Sequence, residues 1–374
     1  MNKKLIAVAV AGAFGVPSIA AAQVTVSGKF GIQLTNVKIG DALPARGAFH
    51  KSSTFVNDNA SIIRFAARED LGGGLEAFGQ YELRPLMENG SGVTAGVLDV
   101  GSKTGINYVG LRSKAWGSIR AGTDVTYGGP GAGLSTGASQ HYSTSATQNF
   151  VALGGTTVSF SSSRQQNLII YDTPDFGNGF KATGMWSSNP SGLDADMATA
   201  GRAGRAWYLL PEFRFGSGRV GYKYADIKDD QQAWDLKANG IWGEITIAGI
   251  ETGLTYSKIK AKSPVTGADT VDVRKWLIPV RYRFGSSVVG FTYSKSGDDK
   301  VQAGDQTAKH MMMSYNYSFS KRTNLGISYV KMTNAPGASF DVTSTTTTGY
   351  AAAFASAGLG EDQTLIALSL NHTF

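Results

Sequence analysis

From residue 23 onward, segments in which every second residue is apolar follow one another, and no run of about eighteen apolar residues occurs. In Val24–Lys38, Val24, Val26, Phe30, Ile32 and Leu34 share one parity, while Thr25, Ser27, Lys29 and Gln33 take the other. The pattern returns in Trp207/Leu209/Phe213/Phe215 and in Trp276/Ile278/Val280/Tyr282/Phe284. It returns again in Met311/Met313/Tyr315/Tyr317/Phe319 and in Ile366/Leu368/Leu370/Phe374. A period of two puts the two sets on opposite faces of a strand, and helical spacing fits none of these segments as well. The chain is predicted to be all-β.

Short turns and long connections alternate between the strands. The short ones are Leu71–Gly74, Lys114–Gly117, Asp175–Asn178, Gly216–Gly218, Gly285–Ser286 and Lys321–Thr323. Long Gly/Ser/Thr/Asp-rich connections are predicted over 39–57, 88–103, 125–166, 190–203, 260–270, 297–307 and 334–362. The division is ambiguous over 228–250, where Ile241–Ile250 fits two registers. Counting through gives about sixteen strands, with both termini on one side and about 22 residues per strand plus connection. A soluble sandwich or propeller would pack its apolar face with Val, Ile and Leu. Here Tyr, Trp and Phe cap the apolar parity near strand ends, as membrane-interface girdles do. The other parity is too polar for a packed interior but suits a water-filled lumen. The expected fold is a transmembrane antiparallel β-barrel with short periplasmic turns and long external loops.

The N-terminus fits export. Lys3 and Lys4 precede an apolar stretch, Leu5 to Ile19, that is broken by Gly12, Gly15 and Pro17, and Ala20-Ala21-Ala22 follows. This is the layout of a signal peptide over 1–22, leaving a barrel over 23–374. The stretch is too short and too interrupted to span a bilayer comfortably as a helix. The chain has no Cys, which suits passage through an oxidising periplasm. Its 48 Gly are spread through aromatic-rich segments and do not form a low-complexity tract. The net charge of +7, two units of it from Lys3 and Lys4, is diffuse, and no basic run points to nucleic acid.

Several segments resemble one family. Ile63-Arg64-Phe65 with Arg68-Glu69-Asp70-Leu71-Gly72-Gly73-Gly74-Leu75-Glu76-Ala77 resembles the second-to-third strand hairpin of Gram-negative general porins. Asn107–Leu111 with Trp116–Gly122 resembles their fourth and fifth strands, and Asn167–Pro174 their sixth. The terminal Phe374, with apolar residues at alternate positions before it, resembles the signal read by the barrel-assembly machinery. The resemblance covers nearly all of the mature chain and implies a passive diffusion channel for small solutes in the outer membrane of a Gram-negative bacterium. It also implies a homotrimer, surrounded by outer-membrane lipid and lipopolysaccharide, whose third loop, about 125–166, folds inward and narrows the pore.

Constrictions in that family set acidic residues on the loop against an Arg/Lys ladder on the wall. Here Val125–Ser163 contains no Asp, Glu, Lys or Arg. Ile62, Ile170 and Thr123 stand where the family commonly carries basic residues. The lumen-facing charges expected at this level are Arg64, Arg84, Arg120 and Glu82, with Asp124 at the base of the loop. Two readings follow. Unopposed Arg side chains would leave a mildly positive eyelet that favours anions or neutral solutes. Alternatively, they pair with Glu76, Glu82 and Asp124 and leave it nearly neutral. Ile62, Leu168 and Ile170 add an apolar lumen patch, which would either serve less polar solutes or seat the folded loop.

No catalytic or cofactor motif is present. His50, His141, His310 and His372 are dispersed, with no metal-ligand spacing. The Gly-rich stretches at 72–74 and 128–131 lack the Lys-Ser/Thr of a phosphate cradle, and there is no G-x-S-x-G. His310 and Ser314 fall on the lumen parity, as lining. The chain is expected to be no enzyme and to need no cofactor or metal. Two alternatives to a general channel are a substrate-selective channel for a small anion or organic solute, and a structural or adhesive barrel. The latter rests only on the Thr-rich loop 334–362.

Overall fold

A computed structural model describes residues 23–40, 52–85, 105–125, 164–188, 204–228, 235–342 and 358–374. The expected signal peptide lies outside these. So does the third loop, except that Val125 and residues 164–166 belong to the flanking strands. The first strands are β1 (Gln23–Gly40), β2 (Ser52–Asp58), β3 (Ile62–Gly72), β4 (Leu75–Leu83), β5 (Asn107–Ser113) and β6 (Gly117–Val125). Next come β7 (Arg164–Asp172), β8 (Phe180–Ser187), β9 (Arg205–Phe215), β10 (Gly218–Lys228), β11 (Asp235–Ile247) and β12 (Ile250–Lys262). The last are β13 (Asp269–Phe284), β14 (Ser287–Ser296), β15 (Ala308–Ser318), β16 (Thr323–Asn334) and β17 (Asp362–Thr373).

All pairings are antiparallel between neighbours, and β1 closes the sheet on β17, from Lys29 opposite Thr373 to Gly40 opposite Asp362. On its other edge β1 meets two elements, β3 along Gln23–Lys29 and β2 along Ile32–Lys38. The elements β2 and β3 are therefore one barrel strand interrupted at Asn59–Ser61, and the barrel has sixteen strands. The expected connection over 39–57 is shorter than the sequence suggests, because β1 runs to Gly40 and β2 begins at Ser52.

The interruption has a physical cause. Ala60 has φ 55°, which an L-residue adopts only when its surroundings hold it there. Its neighbours Asn59 and Ser61 are buried on the lumen side. Asn59 Nδ2 donates to Asn371 Oδ1 at 2.7 Å, and the Gly31 amide donates to Ser61 Oγ at 3.0 Å. Before the break, odd residues such as Asn57 face inward. After it, even residues such as Arg64 do, so the kink resets which parity meets water.

In the ambiguous region, β11 and β12 meet at Ala248-Gly249, with φ 48° and 80°. Two successive positive φ values are those of a tight two-residue hairpin. This turn fixes Ile247 opposite Ile250. The outward face is apolar along its middle, with Ile32, Leu34, Trp207, Leu209, Ile241, Leu254, Met313 and Leu368 all exposed. The inward parity carries Gln33, Thr35, Ser257, Thr292, Ser294, His310, Asn316 and Asn371.

One end of the lumen is occupied. The chain after β16 turns inward, and Ala338, Phe340 and Val342 join a buried cluster with Val37, Leu277, Met312, Val330, Met332 and Leu365. Asn334 clamps this insert, donating to the Phe340 carbonyl at 2.9 Å and accepting from the Phe340 amide at 3.0 Å. The Val342 amide donates to Gln363 Oε1 at 2.8 Å. The first part of the loop predicted over 334–362 is thus internal, and Thr345–Thr348 lie outside the described residues.

The barrel seam is also where the C-terminus docks. Gly28 and Phe374 exchange backbone hydrogen bonds at 3.1 Å, and the Phe374 ring lies 5.1 Å from that of Phe30. A Cβ on Gly28 would come within 2.5 Å of both the Phe374 ring and the Ile62 carbonyl oxygen. Gly28→Ala is expected to cost about 1–3 kcal/mol through overpacking, read by urea unfolding of the barrel in micelles or liposomes. Gly184→Ala, with nothing within 4 Å of the added methyl, should be near neutral.

Candidate functional site

The strands on one side of the lumen bring most of the sequence-predicted residues together. Glu82 of β4 stands opposite Arg64 of β3 in register, and Arg84 follows two residues later on the same face. Arg64 Nη2 donates to Glu82 Oε2 at 3.0 Å, and Arg84 Nη2 to Glu82 Oε1 at 2.8 Å. The Glu82 carboxylate is 1% exposed, while the Arg64 and Arg84 side chains stay 35% and 19% exposed. One buried carboxylate therefore holds two partly open guanidiniums. Lys29 of β1 lies on the same face and donates to the Asn59 carbonyl at 2.5 Å.

Arg120 of β6 forms a second knot. Its Nε donates to Asp124 Oδ2 at 3.0 Å, and Nη1 reaches Asp172 of β7. Asp172 also accepts from Ser118 at 3.0 Å and from Thr183 at 2.6 Å, so its position is fixed from the strands on both sides, β6 and β8. Arg112 of β5 donates to Glu76 at 2.5 Å. Aromatic rings fill the space between the guanidiniums. Arg112 lies 5.2 Å from the Phe78 ring centroid and Arg120 5.4 Å from that of Tyr108, and the two rings meet edge-on at 5.9 Å. Such stacking holds the charges in a row on the wall.

Charges within these ion pairs cancel. Arg64 and Arg84 exceed Glu82 by one positive charge, Arg120 falls one short of Asp124 and Asp172, and Arg112 balances Glu76. The sequence reading missed Arg112 and Asp172. Asp172 shares the parity of Leu168 and Ile170, so alternation along β7 already places it in the lumen.

A second ladder stands on β9–β13, toward the short turns, where no site had been expected. Glu212 accepts from Arg214 at 2.7 Å and lies 3.7 Å from Arg219, whose other contact is Glu244 at 2.8 Å. Glu251 binds Arg281 and, at 3.0 Å, Arg283. Four guanidiniums here meet three carboxylates, so the ladder retains a positive charge.

The three apolar lumen residues do not form one patch. Ile62 sits on β3 opposite Lys29. Leu168 and Ile170 are each 1% exposed and belong to a buried cluster with Met185, Ala206, Tyr208, Leu236 and Ile259. That surface is covered and does not face passing water. His310 is buried on the lumen face, 3.2 Å from Ser294 Oγ through Nδ1.

A closed barrel with an apolar exterior and a charged, hydrogen-bonding interior defines an outer-membrane channel. The chain belongs to the Gram-negative porin family, whose model matches residues 7–365. Among solved structures it is similar to an anion-selective porin from Comamonas acidovorans, with TM-score 0.70 and 20% identity over 94% of this chain and 100% of that one. It is also similar to OmpF of Salmonella typhi in complex with daunomycin, with TM-score 0.61, 16% identity, and 95% and 98% of the two chains covered. The trimer form of OmpT, an outer membrane protein of Vibrio cholerae, matches with TM-score 0.62 and 12% identity over 95% and 100%. No curated protein sequence matches. The protein is therefore an outer-membrane porin, with the family's passive diffusion channel.

Glu82→Gln removes the carboxylate shared by Arg64 and Arg84. At about 8 Å in water, one added unit of positive charge is worth roughly 0.5 kcal/mol to a passing anion. A passing cation loses the same amount, so at low salt the anion-to-cation permeability ratio should rise about fivefold, read from reversal potentials before and after substitution. Leaving two guanidiniums unpaired should also destabilise the barrel by about 1–3 kcal/mol, reduced from the fully buried case by their exposure.

Proposed function

We propose that this porin passes small hydrophilic solutes and ions with a mild preference for anions, and works as a homotrimer. The observation that carries the selectivity is the Arg-rich ladder Arg214–Glu212–Arg219–Glu244 with Arg281–Glu251–Arg283. It keeps a positive excess on β9–β13, whereas the ion pairs around Glu82 and Arg120 balance. The absence of charged residues over Val125–Ser163 removes the acidic counterweight that relatives carry there. Fixed positive charge in a narrow aqueous passage raises the local anion concentration. The similarity to an anion-selective porin points the same way. A tenfold KCl gradient across a planar bilayer holding the purified channel should give a reversal potential of anion-preferring sign. A cation-preferring sign would sink the idea.

Support for the trimer comes from the low side of the barrel. Strands β4–β8 have seven to nine residues, whereas β9–β17 have ten to sixteen. Outward on β4–β8 stand Ala77, Gly79, Tyr81, Val109, Leu111, Ile119, Ala121, Ile169 and Trp186, none of them charged. A short wall on which these residues are uncharged, some of them small enough to permit close approach, suits a neighbouring subunit. Phe374 at the seam is the proposed contact for the barrel-assembly machinery, and outer-membrane lipid with lipopolysaccharide is proposed around the taller side. Val109→Arg, in the middle of the low wall, is expected to convert trimers to monomers in analytical ultracentrifugation in detergent. An unchanged trimer would place the interface elsewhere.

A further inference from the structure

On the strands around the seam, the inward parity changes character along its length. Toward the short turns it is polar, with Gln33 on β1, Ser314 and Asn316 on β15, Ser328 on β16 and Asn371 on β17. Toward the long-loop end the same parity carries Val37, Met312, Val330, Met332 and Leu365, joined by Leu277 of β13, each of them fully buried. Apolar side chains on a wall that lines water are unfavourable unless something covers them. The cover here is the chain after β16, whose Ala338, Phe340 and Val342 close the cluster from the lumen side.

That cover is tied down along its length, beyond the Asn334 clamp and the bond from Val342 to Gln363. The Ala335 amide donates to the Thr307 carbonyl at 2.9 Å and the Gly337 amide to that of Asp305 at 2.8 Å, which joins the segment to the β14–β15 connection. A Cβ on Gly337 would lie 2.8 Å from the Asp305 carbonyl oxygen, so this approach needs glycine. On the other side the Gly360 amide donates to the Ala338 carbonyl at 2.8 Å, and Gln363 Nε2 donates to Asp341 Oδ1 at 2.9 Å. The ammonium of the buried Lys275 lies 5.0 Å from the Phe340 ring centroid, an attraction that strengthens away from water. Lys275 and Leu277 flank Trp276, which faces outward and lies 5.3 Å from Tyr293. The segment therefore reaches down into the mouth to the level of this outer aromatic pair.

We propose that residues 335–342 are a fixed size filter at the outer mouth, setting the largest neutral solute of the sugar class that the channel admits. A layer packed on the inner wall takes roughly 10 Å from the lumen over the arc it covers. That arc runs from β13 through the seam to β1. Pro336–Phe340 carry no charge, so the filter sorts by width and not by the sign of the solute. It acts at the mouth, apart from the narrowing that the family resemblance implies for 125–166.

The test uses the full-length barrel in liposomes, with swelling rates in a monosaccharide and in a linear tetrasaccharide, a readout that solute charge does not enter. Deleting Pro336–Phe340 should raise the tetrasaccharide-to-monosaccharide rate ratio on the order of fivefold, because passage falls steeply as solute and pore approach one width. An unchanged ratio overturns the proposal. Should the deletion variant fail to fold, Met312→Cys decides. The chain has no Cys of its own, so a water-soluble thiol reagent reports on that position alone. With the segment intact the thiol should resist the reagent. Adding Asn334→Ala/Gln363→Ala, which unties the segment, should speed labelling on the order of tenfold, as local opening removes protection. Prompt labelling with the segment intact, or equal protection in both backgrounds, overturns the filter.

Discussion

Every backbone amide and carbonyl that meets the hydrocarbon must find its partner within the protein, because lipid offers none. For a chain of strands, closure is the only solution, and here it rests on the β1–β17 seam. That seam pairs twelve positions from Lys29 to Gly40, and Phe374 continues it by exchanging hydrogen bonds with Gly28. The first and last strands therefore meet each other, and the sheet keeps two free edges until β17 is in place. Gly28 is the one position at which the Phe374 ring and the Ile62 carbonyl both close in on the backbone. The terminal aromatic thus has a role in the finished fold as well as a proposed one during assembly.

Closure then makes the alternation of residues decide two environments at once. Much of this was legible from residues alone. The outward parity of β1, β13, β15 and β17 is apolar along its middle, and the aromatic positions fall near strand ends, so face and span followed from period two. Short turns were legible because a tight hairpin demands residues that accept positive φ, as at Gly72 to Gly74 and Gly216. Lumen positions for Arg64, Arg84, Arg120 and Glu82 followed from the same parity, and the structure brings them into two adjoining knots.

What escaped the sequence reading depends on contacts between distant segments. The break at Asn59–Ser61 is held by Gly31 and Asn371, from strands at opposite ends of the chain, and no local signal announces it. The inward turn of 335–342 is another case. Ala338, Phe340 and Val342 show an alternation that reads equally as an exposed loop, and only Val37, Leu277, Met312 and Leu365 across the lumen give them a place to bury. Arg112 and the lower ladder were missed for a different reason. They lie off the level of the wall to which the family resemblance points, although parity along β9–β13 marks Arg214, Arg219, Glu244, Glu251 and Arg281 equally well.

The ion pairs change how the pore should be understood. The sequence left two readings of Arg64, Arg84 and Arg120, unopposed or paired with carboxylates, and in the structure each is tied to a carboxylate. Pairing in partly open water leaves most of a guanidinium's hydrogen-bonding capacity facing the lumen while cancelling most of its distant field. Selectivity among ions then depends on the residual charge summed along the wall, to which each unpaired side chain adds only a small increment. Fixed rows of donors and acceptors still give polar solutes places to exchange hydration. Balancing Arg against Glu along one stretch of wall therefore leaves little net field across the lumen, and discrimination by charge at that wall is correspondingly weak.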